Sequence, residues 1–408
     1  MSGNLISLVG IAVLLGIAAL LSTNRRGINF RVVGAAFALQ ALVAVFVLYS
    51  SAGKVVIETI ARGVNAVVGF SDAGINMVFG DFLQNSIGFS FFVHVLPIII
   101  FFSALMSVLY HLKIMQLIVK FVGGGLRKIV GTGTVESLNA AANIFIGQTE
   151  APLVVRPYLK NLSEPQIFAI MVSGVASIAG TVLAGYMKMG ADINYLLAAS
   201  FMAAPGGLLM AKIIMPDDPA AEKGADSGEL VMEDSHHANV IMAAAKGTSD
   251  GLMLAANIGA MLIAFVALIA LFNGIVGGIA GLMGFEGVTL QKILGLVFQP
   301  LMYLLSVPWE EAQAAGALFG EKLILNEFIA FSHLNEYLAG MSPRTNAIAT
   351  FSLCGFANLS SIAILLGGLG VLVPEKRELI SRFGLRAVAA GSLSNLMSAA
   401  LAGLLLTF

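Results

Sequence analysis

Long apolar runs separated by polar segments dominate the pattern of this chain. Eight of the runs reach the roughly 20 residues that a helix needs to cross the hydrocarbon core of a bilayer. They are residues 5–23, 32–50, 89–110, 166–187, 193–212, 252–283, 345–372 and 387–408. The pattern therefore predicts an all-α integral membrane protein with eight transmembrane helices.

Two connections between these spans are too apolar to be simple loops. Residues 134–160 and 307–334 each hold an apolar stretch, a short polar interruption and a second apolar stretch. Each stretch is too short to span a membrane, so we expect two re-entrant hairpins that enter and leave on the same side. Two spans follow each hairpin, and the two sets are predicted to insert in opposite senses, as in the inverted repeats of secondary transporters.

Composition agrees with a membrane protein, because 58% of the residues are hydrophobic, 11% are charged and the mean hydropathy is +0.93. The net charge of −1 offers no basic surface for a nucleic acid. The only cysteine, Cys354, lies in an apolar run and permits no internal disulfide. Lys and Arg are concentrated in alternate connections, which predicts that both termini lie outside. No positive segment precedes the first apolar run, so we expect a retained span there and not a cleaved signal.

Two carboxylates occupy similar places in the hairpins, Glu150 in the first and Glu327 in the second. Each could simply complement the N-terminus of a half-helix. Alternatively, they accept hydrogen bonds from a polar, neutral ligand, together with Gln148, Thr149, Asn358 and Ser361. We favour the second interpretation, because we expect no Lys or Arg in the hairpin cores that could pair with an anion.

A second group of polar residues, Asn143 and Ser177, lies beside expected helix breaks. Each side chain could bond only to the neighbouring helix backbone. Alternatively, their oxygens and the carbonyls of Ile146 and Ile178 form a cage for a monovalent cation. By contrast, His236 and His237 in the acidic stretch 216–250 have no metal-ligand spacing, so we expect a solvated linker there.

Several strings along the chain resemble the concentrative nucleoside transporter family in its bacterial, eight-span form. They are AANIFIGQTEAPLVVRP, ASIAGTVLAGY, SFMAAPGGLL, LNEFIAFS and CGFANLSSIAILLGGLG. The resemblance implies a homotrimer in the bacterial inner membrane whose mobile domains import nucleosides such as uridine by an elevator motion. It also implies that Gln148, Thr149 and Val182 bind the nucleobase and that Glu150, Glu327, Asn358 and Ser361 bind the ribose. The resemblance further implies that Phe356 packs against the ligand and that Na⁺ is held by Asn143, Ile146, Ser177 and Ile178.

With this resemblance, the chain divides into scaffold and transport segments. We expect scaffold in 1–128, the first transport repeat in 129–215, a cytoplasmic linker in 216–250, scaffold in 251–305 and the second transport repeat in 306–408. Residues 54–80 and 287–305 are predicted interfacial helices. The mechanism that we expect is Na⁺ symport, with proton coupling through Glu150 or Glu327 as an alternative. A passive channel or a membrane enzyme is disfavoured, since the hairpins are paired and no nucleophile with a base accompanies them.

Overall fold

The computed structural model describes residues 3–80, 90–217 and 238–406, and these residues form helices without strands. In chain order the helices are α1 Gly3–Leu20, α2 Phe30–Ala44, α3 Ser51–Phe79, α4 Phe91–His94, α5 Leu96–His111, α6 Ile114–Val130, α7 Thr134–Ala142, α8 Ala151–Val154, α9 Arg156–Leu159, α10 Glu164–Ala176, α11 Gly180–Lys188, α12 Ile193–Ile214, α13 Val240–Leu282, α14 Leu290–Leu304, α15 Trp309–Ile324, α16 Glu327–Leu338, α17 Pro343–Leu353, α18 Ser360–Gly367, α19 Leu369–Leu372 and α20 Arg377–Leu405. The predicted all-α fold is confirmed.

Six stretches of the described chain are long and apolar enough to cross a membrane, and a seventh arises if α14 and α15 are taken as one bent span. The first predicted span is an 18-residue helix, α1, and the second continues from α2 into a π-helical turn, Val45–Tyr49. The seventh is divided between α17, α18 and α19. The number of eight crossings therefore stays a prediction.

Two of the predicted spans are broken in the middle. Between α10 and α11 the chain is unwound at 177–179, and between α17 and α18 it is unwound at 354–359. Backbone groups freed inside a membrane must find other partners. Some do so across the two breaks, because the amide of Phe356 donates to the carbonyl of Ser177 at 3.1 Å, an ordinary hydrogen-bond length.

The two predicted hairpins correspond to consecutive short helices. In the first, α7 runs to the irregular segment 143–150 and the chain returns through α8 and α9. In the second, α15 turns at Leu325 and Asn326 into α16, and the Asn326 side chain caps α16 by accepting from the amide of Ile329 at 3.0 Å. In both, the short polar interruption that was identified in the sequence lies at the turn.

Small residues determine how α5 and α13 pack. A Cβ atom at Gly247 or Gly251 would lie less than 3.0 Å from atoms of Ser103, so the two helices touch backbone to backbone. Elsewhere, α1 and α2 lie against α12 and α20. The division into scaffold and transport segments stays a prediction.

The helices differ from the predicted ones in two places. The predicted linker 216–250 ends at Val240, because Asn239 caps α13 by accepting from the amide of Met242 at 2.8 Å. The pair His236 and His237 lies outside the described residues. The amphipathic helix α6 was not predicted as a separate element, while α3 and α14 fall where interfacial helices were expected.

Candidate functional site

The turns of both hairpins face one cavity of about 540 Å³. Small-molecule sites commonly have volumes of roughly 300–1,000 Å³. Its lining includes all of the residues for which the sequence predicted contact with a nucleoside: Gln148, Thr149, Glu150, Val182, Glu327, Phe356, Asn358 and Ser361. Helix α13 closes one side through Leu254 and Ile258, so the cavity lies between the two hairpins and a long unbroken helix.

Of the two carboxylates in the cavity lining, Glu327 is more firmly oriented than Glu150. It is 3% exposed and lies in the first turn of α16. Tyr186 donates to Oε1 at 3.0 Å, and the side-chain amide of Asn358 donates to Oε2 at 3.0 Å. Each carboxylate oxygen has about two acceptor positions. Both oxygens of Glu327 therefore keep capacity to accept from hydroxyl groups of a ligand.

The second break supplies a compact group of hydroxyl and amide groups. Oδ1 of Asn358 accepts from Ser360 Oγ at 2.7 Å and from the backbone amide of Ser361 at 2.9 Å. Gln148, on the first hairpin, donates to Ser361 Oγ at 3.4 Å. Among the described residues, Oε1 of Gln148 is buried without a hydrogen-bond partner, so it is an acceptor available to a ligand.

The remaining predicted contacts differ in exposure. Glu150 is exposed and also lines a neighbouring cavity of about 400 Å³, together with Tyr110 and Asp250. Thr149 and Phe356 are half-buried, while Val182 is buried on α11. Glu150 therefore lies at the border between the two cavities.

The residues predicted to hold a cation also lie close together. The amide of Gly180 donates to the carbonyl of Phe145 at 3.0 Å, which ties the first hairpin turn to the break after α10. As the simpler alternative expected, Asn143 Nδ2 donates to Asn139 O at 2.9 Å and Ser177 Oγ donates to Ser173 O at 3.1 Å.

A cation nevertheless fits this donor set. Oδ1 of Asn143 is buried and has no hydrogen-bond partner among the described residues. An oxygen-only group without a carboxylate suits a monovalent ion.

Sequence reasoning missed three functional candidates, Tyr186, Lys322 and Asn395. The expectation that no Lys occupies the hairpin cores is wrong, since Lys322 is 0% exposed in α15. Its ammonium faces Ser352 O and Asn395 instead of the cavity. Among the described residues that line the cavity there is no Lys or Arg, so the argument for a neutral ligand holds there. A lysine and an asparagine inside apolar runs were the available signals.

Comparison with known proteins identifies the family. Models described as the N-terminus and C-terminus of the Na⁺ dependent nucleoside transporter match residues 9–82 and 195–403. A third, described as nucleoside recognition, matches residues 92–192. The nucleoside permease NupC of Helicobacter pylori is 47% identical over 412 residues, which cover 98% of this chain and 97% of the permease. The chain belongs to the Na⁺ dependent nucleoside transporter family.

Further relatives of this transporter include an uncharacterized transporter of Haemophilus influenzae, 51% identical over 406 residues that cover 98% of the chain and 97% of the relative. The structure of CNTnw in an inward-facing substrate-bound state superposes with a TM-score of 0.93, at 48% identity and with 99% and 98% of the two chains covered. An outward-facing CNTnw variant gives 0.95, at 48% identity and the same coverage.

The family suspected from the sequence is thus confirmed. Its members are multi-pass membrane transporters and not enzymes, as the sequence predicted. The family's dependence on Na⁺ supports Na⁺ as the coupling ion.

Proposed function

We propose that this transporter imports nucleosides such as uridine by Na⁺ symport. The observation that carries the proposal is the cavity between the hairpin turns, where two carboxylates and several neutral polar groups meet without a basic residue among the described lining. A nucleoside leaves water only if its hydroxyl and amide groups find new partners, since each unpaired group costs about 1–3 kcal/mol. The arrangement supplies such partners at both ends of the cavity.

In this proposal Glu150, Glu327, Asn358 and Ser361 hold the ribose. Glu327 accepts from sugar hydroxyls because Tyr186 and Asn358 already fix its orientation. Gln148 and Thr149 meet the nucleobase, with Gln148 Oε1 as acceptor for a base N–H. Val182 and Phe356 enclose the flat faces of the base, which are apolar.

Na⁺ would be held by Asn143 and Ser177 with the carbonyls of Ile146 and Ile178. Bound there, it supplies a positive charge that fixes the two unwound segments. Inward movement of one charge contributes about 2.3 kcal/mol per 100 mV of inside-negative potential. The proposal also includes alternating access by an elevator motion and assembly as a homotrimer. It places the protein in a bacterial inner membrane with both termini outside. Solved structures of CNTnw in inward- and outward-facing states support alternating access.

The test is uptake of radiolabelled uridine into proteoliposomes under an imposed Na⁺ gradient, with a K⁺ control and an imposed pH gradient. Wild type is compared with Glu327→Gln and with Glu310→Gln, an exposed carboxylate at the start of the same hairpin. We expect Na⁺-driven uptake that is lost in Glu327→Gln and kept in Glu310→Gln. Uptake driven only by the pH gradient would show that H⁺ and not Na⁺ is the coupling ion. An absence of uptake under every gradient would overturn the proposed nucleoside transport.

A further inference from the structure

The two broken spans meet end to end at a buried junction. Helix α10 ends at Ala176 and α17 ends at Leu353, so the last carbonyls of both half-helices lack partners within their own helices. The first residue after α10 is Ser177, of the cation group, and Phe356, of the ligand group, follows shortly after α17. The backbone bond from Phe356 N to Ser177 O joins these two segments directly.

One side chain, Asn395 of α20, caps both half-helices. It is 2% exposed, and its Nδ2 donates to Ala176 O at 2.7 Å and to Cys354 O at 2.6 Å. The two carbonyls belong to different repeats of the chain. The Asn395 amide and the backbone bond from Phe356 to Ser177 therefore link the positions of the two breaks.

Lys322 fixes the orientation of that amide. Its Nζ donates to Asn395 Oδ1 at 2.6 Å and to Ser352 O at 2.9 Å. Lysine has only donors and carbonyls only accept, so the reversed orientation of the Asn395 amide would break all three bonds that it makes.

The ammonium of Lys322 lies beside the C-terminal end of α17 and near a buried carboxylate. Within the described part of the chain no carboxylate forms a salt bridge with Lys322, although the charge of Glu327 acts on it. A buried charge is costly. The C-terminal ends of helices carry partial negative charge, which offsets this cost.

We propose that Asn395, oriented by Lys322, is the positioning residue that couples the cation site to the nucleoside site. This inference rests on the Na⁺ symport proposed above. An ion that orders 177–179 also orders 354–359, since Asn395 binds the carbonyl just before the first segment and the first carbonyl of the second. By linkage, the ion and the nucleoside then raise each other's affinity by the same factor.

The experiment measures the dissociation constant of uridine for the purified full-length protein at saturating Na⁺ and with Na⁺ replaced by choline. The ratio of the two values is the coupling factor. Asn395→Asp keeps the shape and the contact with Lys322 but cannot donate to either carbonyl, whereas Lys322→Met keeps Asn395 and removes the ammonium. Ser392→Ala on the same helix is the matched control, since this buried hydroxyl has no hydrogen-bond partner among the described residues.

We expect the coupling factor to fall at least tenfold in Asn395→Asp and in Lys322→Met and to stay unchanged in Ser392→Ala. The Na⁺-free affinity should change little. Thermal unfolding of each variant accompanies the binding data, and Asn395→Ser, which keeps one donor, gives an intermediate factor if the aspartate variant does not fold. Equal loss of affinity with and without Na⁺ would overturn the inference, while a wild-type factor of one would instead overturn Na⁺ coupling itself.

Discussion

The hydroxyl of Tyr186 lies 3.0 Å from Oε1 of Glu327, so α11 holds the carboxylate at the start of α16. The Tyr186 ring is itself fixed by stacking on Phe331, with ring centroids 4.4 Å apart. Loss of this hydroxyl removes one of the two donors that orient Glu327. The contact joins elements that are distant in sequence, and it is open to direct tests.

Tyr186→Phe should weaken uridine binding about tenfold, which corresponds to about 1.4 kcal/mol. The ring and its stacking remain, so thermal stability should change little. Calorimetric titration at saturating Na⁺ measures the effect. Tyr195→Phe, a tyrosine outside the cavity lining, serves as control, and an equal loss of affinity in both variants would contradict the assigned role.

Substitution of Glu327 should reduce the discrimination between ribose and deoxyribose ligands. In wild type, uridine should bind more tightly than 2′-deoxyuridine or 3′-deoxyuridine, because a hydrogen bond to a charged group contributes about 1.5–3 kcal/mol. In Glu327→Gln this preference should shrink for the hydroxyl that the carboxylate contacts. The affinities of uridine and a deoxyuridine for wild type and for Glu327→Gln form a double-mutant cycle. If the free-energy costs of removing the hydroxyl and of substituting Glu327 simply add, then Glu327 does not contact that hydroxyl.

Asn143→Ala should raise the Na⁺ concentration needed for half-maximal uridine uptake by at least tenfold. It removes the unpaired Oδ1 that a cation requires. Uridine affinity at saturating Na⁺ should change much less. Ser200→Ala is the control, because Ser200 is a buried span hydroxyl that bonds only to helix backbone, Leu196 O at 2.9 Å. A similar Na⁺ requirement in both variants would remove Asn143 from the cation site.

Gly355→Ala should destabilise the protein and abolish uptake. A Cβ atom there would lie 2.3 Å from Asn395 Oδ1 and 2.8 Å from Ala176 O, so the junction of the two breaks would have to open. Gly367→Ala, in the same predicted span, meets nothing within 4 Å and should retain uptake. Thermal unfolding in detergent, followed by uptake, checks both, and a stable, active Gly355→Ala would show that the junction tolerates expansion.

Much of the candidate site was predictable because polar residues in apolar runs are conspicuous. Glu150 and Glu327 interrupt apolar segments whose other residues are typical of a membrane or a protein core. Their positions therefore indicated the turns of two hairpins. The structure brings both turns to one cavity, as the proposed inverted repeat requires. The individual roles of these residues remain proposals.

Asn395 and Lys322 could not be assigned from the sequence. Asn395 lies in a run with Ser392, Ser394 and Ser398, where small polar residues commonly serve helix packing. Its importance comes from two carbonyls that are 219 and 41 residues away in the chain. The start of α13 was missed because the Asn239 side chain caps the helix there, well before the apolar run begins.

Helix α13 has 43 residues, which corresponds to about 65 Å at roughly 1.5 Å per residue. The hydrocarbon core of a bilayer is about 30 Å thick. The helix therefore has about twice the length that a perpendicular crossing needs. It is held against α5 at Gly247 and Gly251, and Leu254 and Ile258 of the cavity wall follow within two turns. A larger side chain at either glycine would therefore displace the wall of the cavity between the hairpins without itself lining that cavity.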